Sequence, residues 1–276
     1  MGRFTAERPP VVLIHASASS SRQWRELADM LQPRFRALPV DLHGHGTRPE
    51  WAGPPFSIAD DAALVVSLLE RFGPAHLVGH SYGGAVALGI AKRRPDLVRS
   101  LLAYEPVVFR ALVDDPASAS ELRDVAATAN WMRVQLGDGQ PVAAARLFVA
   151  CWSGPDAWGE LGASQRELIA ARIPSVLRHF DALFAEPFAA EALGRLDVPM
   201  LFLAGARTVD VARRIATLLG EALPDAAHET LAGMGHMGPI THAAKVNRRI
   251  EQFLHLSDAS APRIDETSAG LMTGTY

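Results

Sequence analysis

The stretch from Ala75 to Lys92 constrains this chain more than any other. A short run, Ala75 to Val78, leads into Gly79-His80-Ser81-Tyr82-Gly83-Gly84 and then into an alanine-rich segment carrying Val86, Leu88 and Ile90. The first run has strand length and the second has helix composition, so the chain must turn sharply at the serine between them. A serine at such a turn is driven toward strained dihedrals, and the flanking positions come so close to neighbouring backbone that only glycine fits comfortably. Its hydroxyl projects above the sheet, and the first amides of the following helix face any negative charge that develops there. Ser81 is therefore the candidate nucleophile. Gly-x-Ser-x-Gly alone recurs by chance; the strand before it and the helix after it carry the reading.

The same rhythm extends along the chain. Short apolar runs at Val11 to Ile14, Phe35 to Val40, Ala75 to Val78, Leu101 to Tyr104, Met200 to Ala204 and His228 to Leu231 alternate with helical patterns. That alternation predicts an α/β fold, a mostly parallel sheet flanked by helices. Ser57 to Phe72 places Ile58, Ala62, Val65, Val66 and Leu69 on one helical face, and Gly73-Pro74 stops it. A last helix is expected from about Thr241 to Leu254, with Val246, Ile250, Phe253 and Leu254 as its inner side.

From Val107 to about Pro187 the strand rhythm is replaced by helical stretches such as Glu121 to Leu136 and Val142 to Trp152. We expect residues 107–187 to form a helical cap insertion, with residues 1–106 and 188–256 forming the α/β core. The insertion holds Trp131, Trp152, Trp158, Met132, Phe148, Phe180 and Phe184. Such residues either fill its own core or face an apolar pocket; Trp131, Trp152 and Phe148 are the pocket candidates. Residues 257–276, rich in Ser, Ala, Thr, Gly and charge, read as a disordered tail.

Composition narrows the partners. With 49% hydrophobic and 21% charged residues, the 276-residue chain has the balance of a globular protein. A net charge of −3 and a pI of about 6.4 offer no electrostatic case for nucleic acid or an anionic membrane. A small-molecule substrate is the expected partner. The single cysteine, Cys151, cannot form an intrachain disulfide, and no run has the length of a signal peptide's apolar core or a membrane helix. The expected location is the cytoplasm.

Four segments give the chain a family likeness: Val11-Val12-Leu13-Ile14-His15-Ala16-Ser17, Asp41-Leu42-His43-Gly44-His45-Gly46-Thr47-Arg48, the serine turn, and Gly233-Met234-Gly235-His236-Met237. Through them the sequence resembles the α/β-hydrolase superfamily from about Pro9 to Leu256. The resemblance implies an oxyanion hole made by the backbone N–H groups of Ser17 and Tyr82. Two departures stand out: Ala16 replaces the usual glycine, and only nine residues, Met1 to Pro9, precede a strand that two antiparallel strands commonly introduce. A shortened N-terminal sheet edge is expected.

The superfamily's chain order of nucleophile, acid and histidine implies His236 as general base, in a glycine-rich loop after the last strand and before the final helix. His242, six residues on, reads as the start of that helix. The acid has two candidates. The superfamily's usual site, three residues after the glycine that ends Met200 to Ala204, is occupied by Thr208, which is no carboxylate; Asp210 follows two positions later, where a helix cap or first-turn acid is equally natural. Glu105 ends the preceding strand, 24 positions after Ser81, and resembles an alternative spacing found in some haloalkane dehalogenases.

Asp41, His43 and His45 do not have the ligand spacing of a recognised zinc site, and Gly83-Gly84 is no dinucleotide fingerprint. The implied chemistry requires no metal or organic cofactor. It is hydrolysis of a small or medium apolar carboxylic ester through an acyl-enzyme. Carbon–carbon bond hydrolysis and cofactor-free perhydrolysis would use the same residues, and a small-molecule receptor on a hydrolase fold is the reading from another class.

Overall fold

The computed structural model describes residues 8–187 and 197–260. Six strands form one sheet: β1 (Pro10–Ile14), β2 (Arg36–Val40), β3 (Ala75–His80), β4 (Val98–Tyr104), β5 (Met200–Gly205) and β6 (Ala227–Leu231). Their spatial order is β2-β1-β3-β4-β5-β6, and every pairing is parallel. The sheet thus begins at the strand expected to be first, and the described residues contribute no antiparallel strand before it.

The helices are α1 (Arg25–Leu31), α2 (Ile58–Phe72), α3 (Tyr82–Arg93), α4 (Phe109–Asp114), α5 (Ala119–Gly137), α6 (Pro141–Ser153), α7 (Ala157–Glu160), α8 (Ala163–Ala185), α9 (Asp210–Ala222), α10 (Gly238–Thr241) and α11 (Ala243–Ser260). The period-two alternation of the central strands sends residues to two cores. Val12, Ile14, Leu77, Leu101, Ala103 and Phe202 pack with α2 and α3 on one face. Val11, Leu13, Val78, Leu102, Leu201 and Leu203 pack with α1 and α11 on the other. Both faces being covered explains why these strands read as continuous apolar runs.

Helix α2 starts where its sequence says it should. The Ser57 amide donates to Asp60 at 2.7 Å as part of a capping box, and Gly73 ends the helix at φ +84°. Its inward face also buries Asp61 completely. Burying a carboxylate is costly unless it is hydrogen-bonded, and the Tyr82 hydroxyl and His43 Nδ1 supply the bonds Asp61 needs.

Helices α4 to α8 all lie between β4 and β5 in the chain, and α6 packs against both α5 and α8. Met132, Ile173 and Phe180 are buried among them. Cutting one such aliphatic or aromatic side chain back to alanine costs about 2–5 kcal/mol, so this packing fixes how α8 sits over the sheet.

Two expectations at the C-terminal end need correction. The last helical stretch is divided: α10 ends before His242, whose φ of −130° and ψ of 37° leave the helical region, and α11 begins at Ala243. Helix α11 also continues through Ser260, so residues 257–260 are helical rather than tail. Ser257 is buried, and Asp258 pairs with Arg99 at 3.1 Å, which ties the added turn to the body. Residues 261–276 of the expected tail lie outside the described residues.

Candidate active site

The turn after β3 has the geometry its glycines demand. Ser81 is held at φ +55° and ψ −118°, a region that costs an ordinary residue about 1–3 kcal/mol. A Cβ on Gly79 would stand 2.4 Å from the Gly83 carbonyl oxygen, and one on Gly83 2.4 Å from that of Ile14. Neither position can carry a side chain without moving backbone. Among the described non-glycine residues only Ala18, Ser81 and Glu105 have positive φ. All three lie at the C-terminal ends of neighbouring strands, around one point.

At that point three side chains meet. Ser81 Oγ donates to His236 Nε2 at 2.9 Å, and His236 Nδ1 donates to Glu105 Oε2 at 2.7 Å. Serine, histidine and glutamate are all buried. Glu105 is further held by the Gly205 amide on Oε1 and the Thr208 hydroxyl on Oε2, each at 2.6 Å. Three donors fix this carboxylate in place. Of the two acid candidates the structure brings Glu105 to the histidine. Asp210 is exposed in the first turn of α9, paired with Arg213 at 2.5 Å.

The histidine loop is pinned from below. Tyr104 Oη donates to the Gly235 carbonyl and His80 Nε2 donates to the His236 carbonyl, both at 2.8 Å, while Gln23 Nε2 donates to His80 Nδ1 at 3.0 Å. Burial, then the neighbouring His236, keeps the His80 imidazole well below its usual pKa. A neutral ring suits a network that needs one donor and one acceptor nitrogen. Trp152 of α6 stacks on the His236 ring from above, with centroids 4.6 Å apart.

Tyr82 directly follows the nucleophile candidate, and Ser17 lies in the loop after β1. The Tyr82 amide opens α3, where a helix supplies no acceptor of its own. Ser17 lines the same cavity as Ser81. Here the Asp41–Arg48 loop performs a supporting task. His45 Nε2 accepts from the Ala18 amide at 3.1 Å and its Nδ1 donates to the His43 carbonyl at 2.8 Å. Asp41 Oδ1 accepts from the Ser21 amide at 2.7 Å and its Oδ2 from that of Thr47 at 3.0 Å. Among the described residues no three His, Cys, Asp or Glu side chains are grouped to hold a metal ion.

The cavity above Ser81 has a volume of about 440 Å³. Phe148, Val149, Trp152, Leu161, Ile169 and Ile240 give it apolar walls, with Arg172 and Arg207 among the polar lining groups. Trp152 and Phe148 therefore lie where a pocket was expected. Trp131 does not: it is 59% exposed and absent from the lining. The inward face of α5 is Val125, Ala129 and Met132, at helical spacing, and Trp131 falls one residue off it.

Several site residues escaped the sequence reading. His80 sits within the serine turn, and the need to brace a histidine loop was the available clue. Thr208 cannot be the acid, yet its hydroxyl binds the acid that stands in its place. His179 of α8, buried against Tyr82, has no motif that marks it.

Comparison with known proteins agrees with the architecture. Residues 11–249 match the alpha/beta hydrolase family. A pimeloyl-[acyl-carrier protein] methyl ester esterase of Chromobacterium violaceum is 30% identical over 252 residues, which cover 89% of this chain and 94% of the relative. A lipase, LipV, of Mycobacterium tuberculosis is 36% identical over 138 residues, 45% of this chain and about half (52%) of that lipase. Among solved structures, NosK from Streptomyces actuosus superimposes with a TM-score of 0.65 at 26% identity, covering 91% of this chain and 100% of NosK.

Proposed function

The chain belongs to the alpha/beta hydrolase family, and from that premise we propose that it is a serine hydrolase of small or medium apolar carboxylic esters, acting through an acyl-enzyme. The observation that carries this reading is the unbroken hydrogen-bonded line from Ser81 Oγ through His236 to Glu105 beneath an apolar cavity. The esterase and lipase names of the relatives support it.

In the proposed reaction His236 Nε2 takes the Ser81 proton as Oγ attacks the ester carbonyl. The charge on the carbonyl oxygen is met by the amides of Ser17 and Tyr82, and Glu105 supports the imidazolium. Collapse of the tetrahedral intermediate breaks the carbon–alkoxy bond, and His236 returns its proton to the departing alcohol. A water then gives a proton to His236 and its oxygen to the acyl carbon, which releases the acid and restores Ser81. The apolar walls favour a hydrocarbon acyl or alkyl part over a sugar or a nucleotide.

The test is steady-state hydrolysis of p-nitrophenyl butyrate by the wild-type chain and by Ser81→Ala, purified side by side. Activity that vanishes in the variant is expected. Equal activity in both removes Ser81 from the reaction; no activity in either turns attention to carbon–carbon substrates or to a binding role.

A further inference from the structure

Two donors of an oxyanion hole come from different parts of the chain, and something must hold them in register. Ser17 follows β1 and Tyr82 opens α3. One buried side chain touches both. His179, from α8, meets Ser17 Oγ through Nδ1 at 2.8 Å, and its ring lies flat on that of Tyr82, with centroids 3.7 Å apart and planes 6° apart.

The tautomer follows from the other nitrogen. His179 Nε2 is buried without a hydrogen-bond partner and lies 3.6 Å from Asp61 Oδ2, too long for a hydrogen bond. Facing a carboxylate oxygen, that nitrogen is the one to carry the proton, so Nδ1 accepts from the Ser17 hydroxyl. Asp61 in turn is bound by the Tyr82 hydroxyl at 3.1 Å and by His43 Nδ1 at 2.8 Å. Burial above all, with His45 and His15 nearby, keeps the His179 imidazole well below its usual pKa, as a neutral acceptor requires.

A second contact from the same helix falls on the next residue of the loop. Arg172, two helical turns earlier, donates from Nη1 to the Ala18 carbonyl at 2.8 Å. Ala18 is the loop residue with φ +59°, a conformation that needs outside support. Helix α8 thus holds the loop at two adjacent residues.

We propose that His179 is a positioning residue for the oxyanion hole, fixing Ser17 and Tyr82 relative to Ser81 from a helix outside the β-strand framework. The inference rests on the serine-hydrolase reading. It gives α8 a part in transition-state stabilisation rather than in pocket shape alone.

Two readouts separate this inference from the ester reading. The first is kcat and KM on p-nitrophenyl butyrate; the second is the rate at which a fluorophosphonate modifies Ser81, which needs the nucleophile and the oxyanion donors but no ester turnover. In His179→Phe, which keeps a stacking ring and loses the Ser17 contact, kcat and the labelling rate are expected to fall by about 10- to 100-fold while KM changes less than about threefold. Ser17→Ala, which keeps its amide, should give a similar loss, and the double variant should be no slower than the worse single by more than about twofold.

A folded His179→Phe whose kcat and labelling rate stay within about twofold of wild type overturns the proposal, as do fully additive losses. If His179→Phe does not fold, Ser17→Ala decides by the same criterion. Wild-type labelling without ester turnover would sink the ester reading and leave the His179 comparison intact; absence of wild-type labelling at Ser81 would sink both.

Discussion

The Thr208 hydroxyl binds the same oxygen of Glu105, Oε2, that accepts the hydrogen bond from His236 Nδ1. The threonine stands where the superfamily's usual acid would be, three residues beyond Gly205. One position therefore supplies a supporting donor while the carboxylate arrives from the neighbouring strand. Thr208→Val is expected to lower kcat by about tenfold, the value of one charge-assisted hydrogen bond, with little change in KM. An unchanged kcat would show that the Gly205 amide alone suffices.

Exchange of the two roles is a sharper test. Glu105→Gln should lower kcat on the order of 10⁴-fold, roughly 5.5 kcal/mol of barrier, because the histidine loses the carboxylate that sets its tautomer. Adding Thr208→Asp should restore at least about tenfold of this, since the Thr208 side chain and His236 Nδ1 meet at the same Glu105 oxygen. Asp210→Asn should leave kcat near wild type and cost less than about 1 kcal/mol of stability, being an exposed surface pair. A large loss in Asp210→Asn with a mild one in Glu105→Gln would reverse the assignment.

The tryptophans separate by position. Trp152 lines the cavity and stacks on His236, so Trp152→Ala should lower kcat/KM and destabilise the protein by about 3–5 kcal/mol. Trp131→Ala, on the outer face of α5, should change neither kcat/KM nor, beyond about 0.5 kcal/mol, stability. Kinetics and urea unfolding of the two variants read both effects.

Acid should weaken the fold through its buried histidines. Burial lowers His15 to about 3 and His45 and His76 to about 4, and puts His80 and His179 well below the ordinary value. Between those values and the unfolded pKa of about 6.5 the unfolded chain binds more protons, so stability rises with pH across this window. The contribution is fully present above about pH 6.5 and is lost as pH falls toward 4, at up to about 1.4 kcal/mol per pH unit for each group. Calorimetry should show a lower Tm at pH 5 than at pH 7; equal values would mean that the five rings are not held neutral.

The sequence by itself determined the strand and helix rhythm, the serine turn and the histidine loop, because each depends on residues close together in the chain. Gly79 and Gly83 mark a close approach of backbone, and the unbroken apolar run of Val11 to Ile14 marks a strand covered on both faces. The family resemblance narrowed the acid to Glu105 or Asp210. Only the tertiary structure decided between them, since the choice turns on which strand end stands opposite His236, a contact spanning 131 residues. The same holds for Ser17 and His179, 162 residues apart. Helical periodicity says which face of α8 is inward, but the partner that face meets is set by how α4 to α8 pack together, and no local pattern encodes that packing.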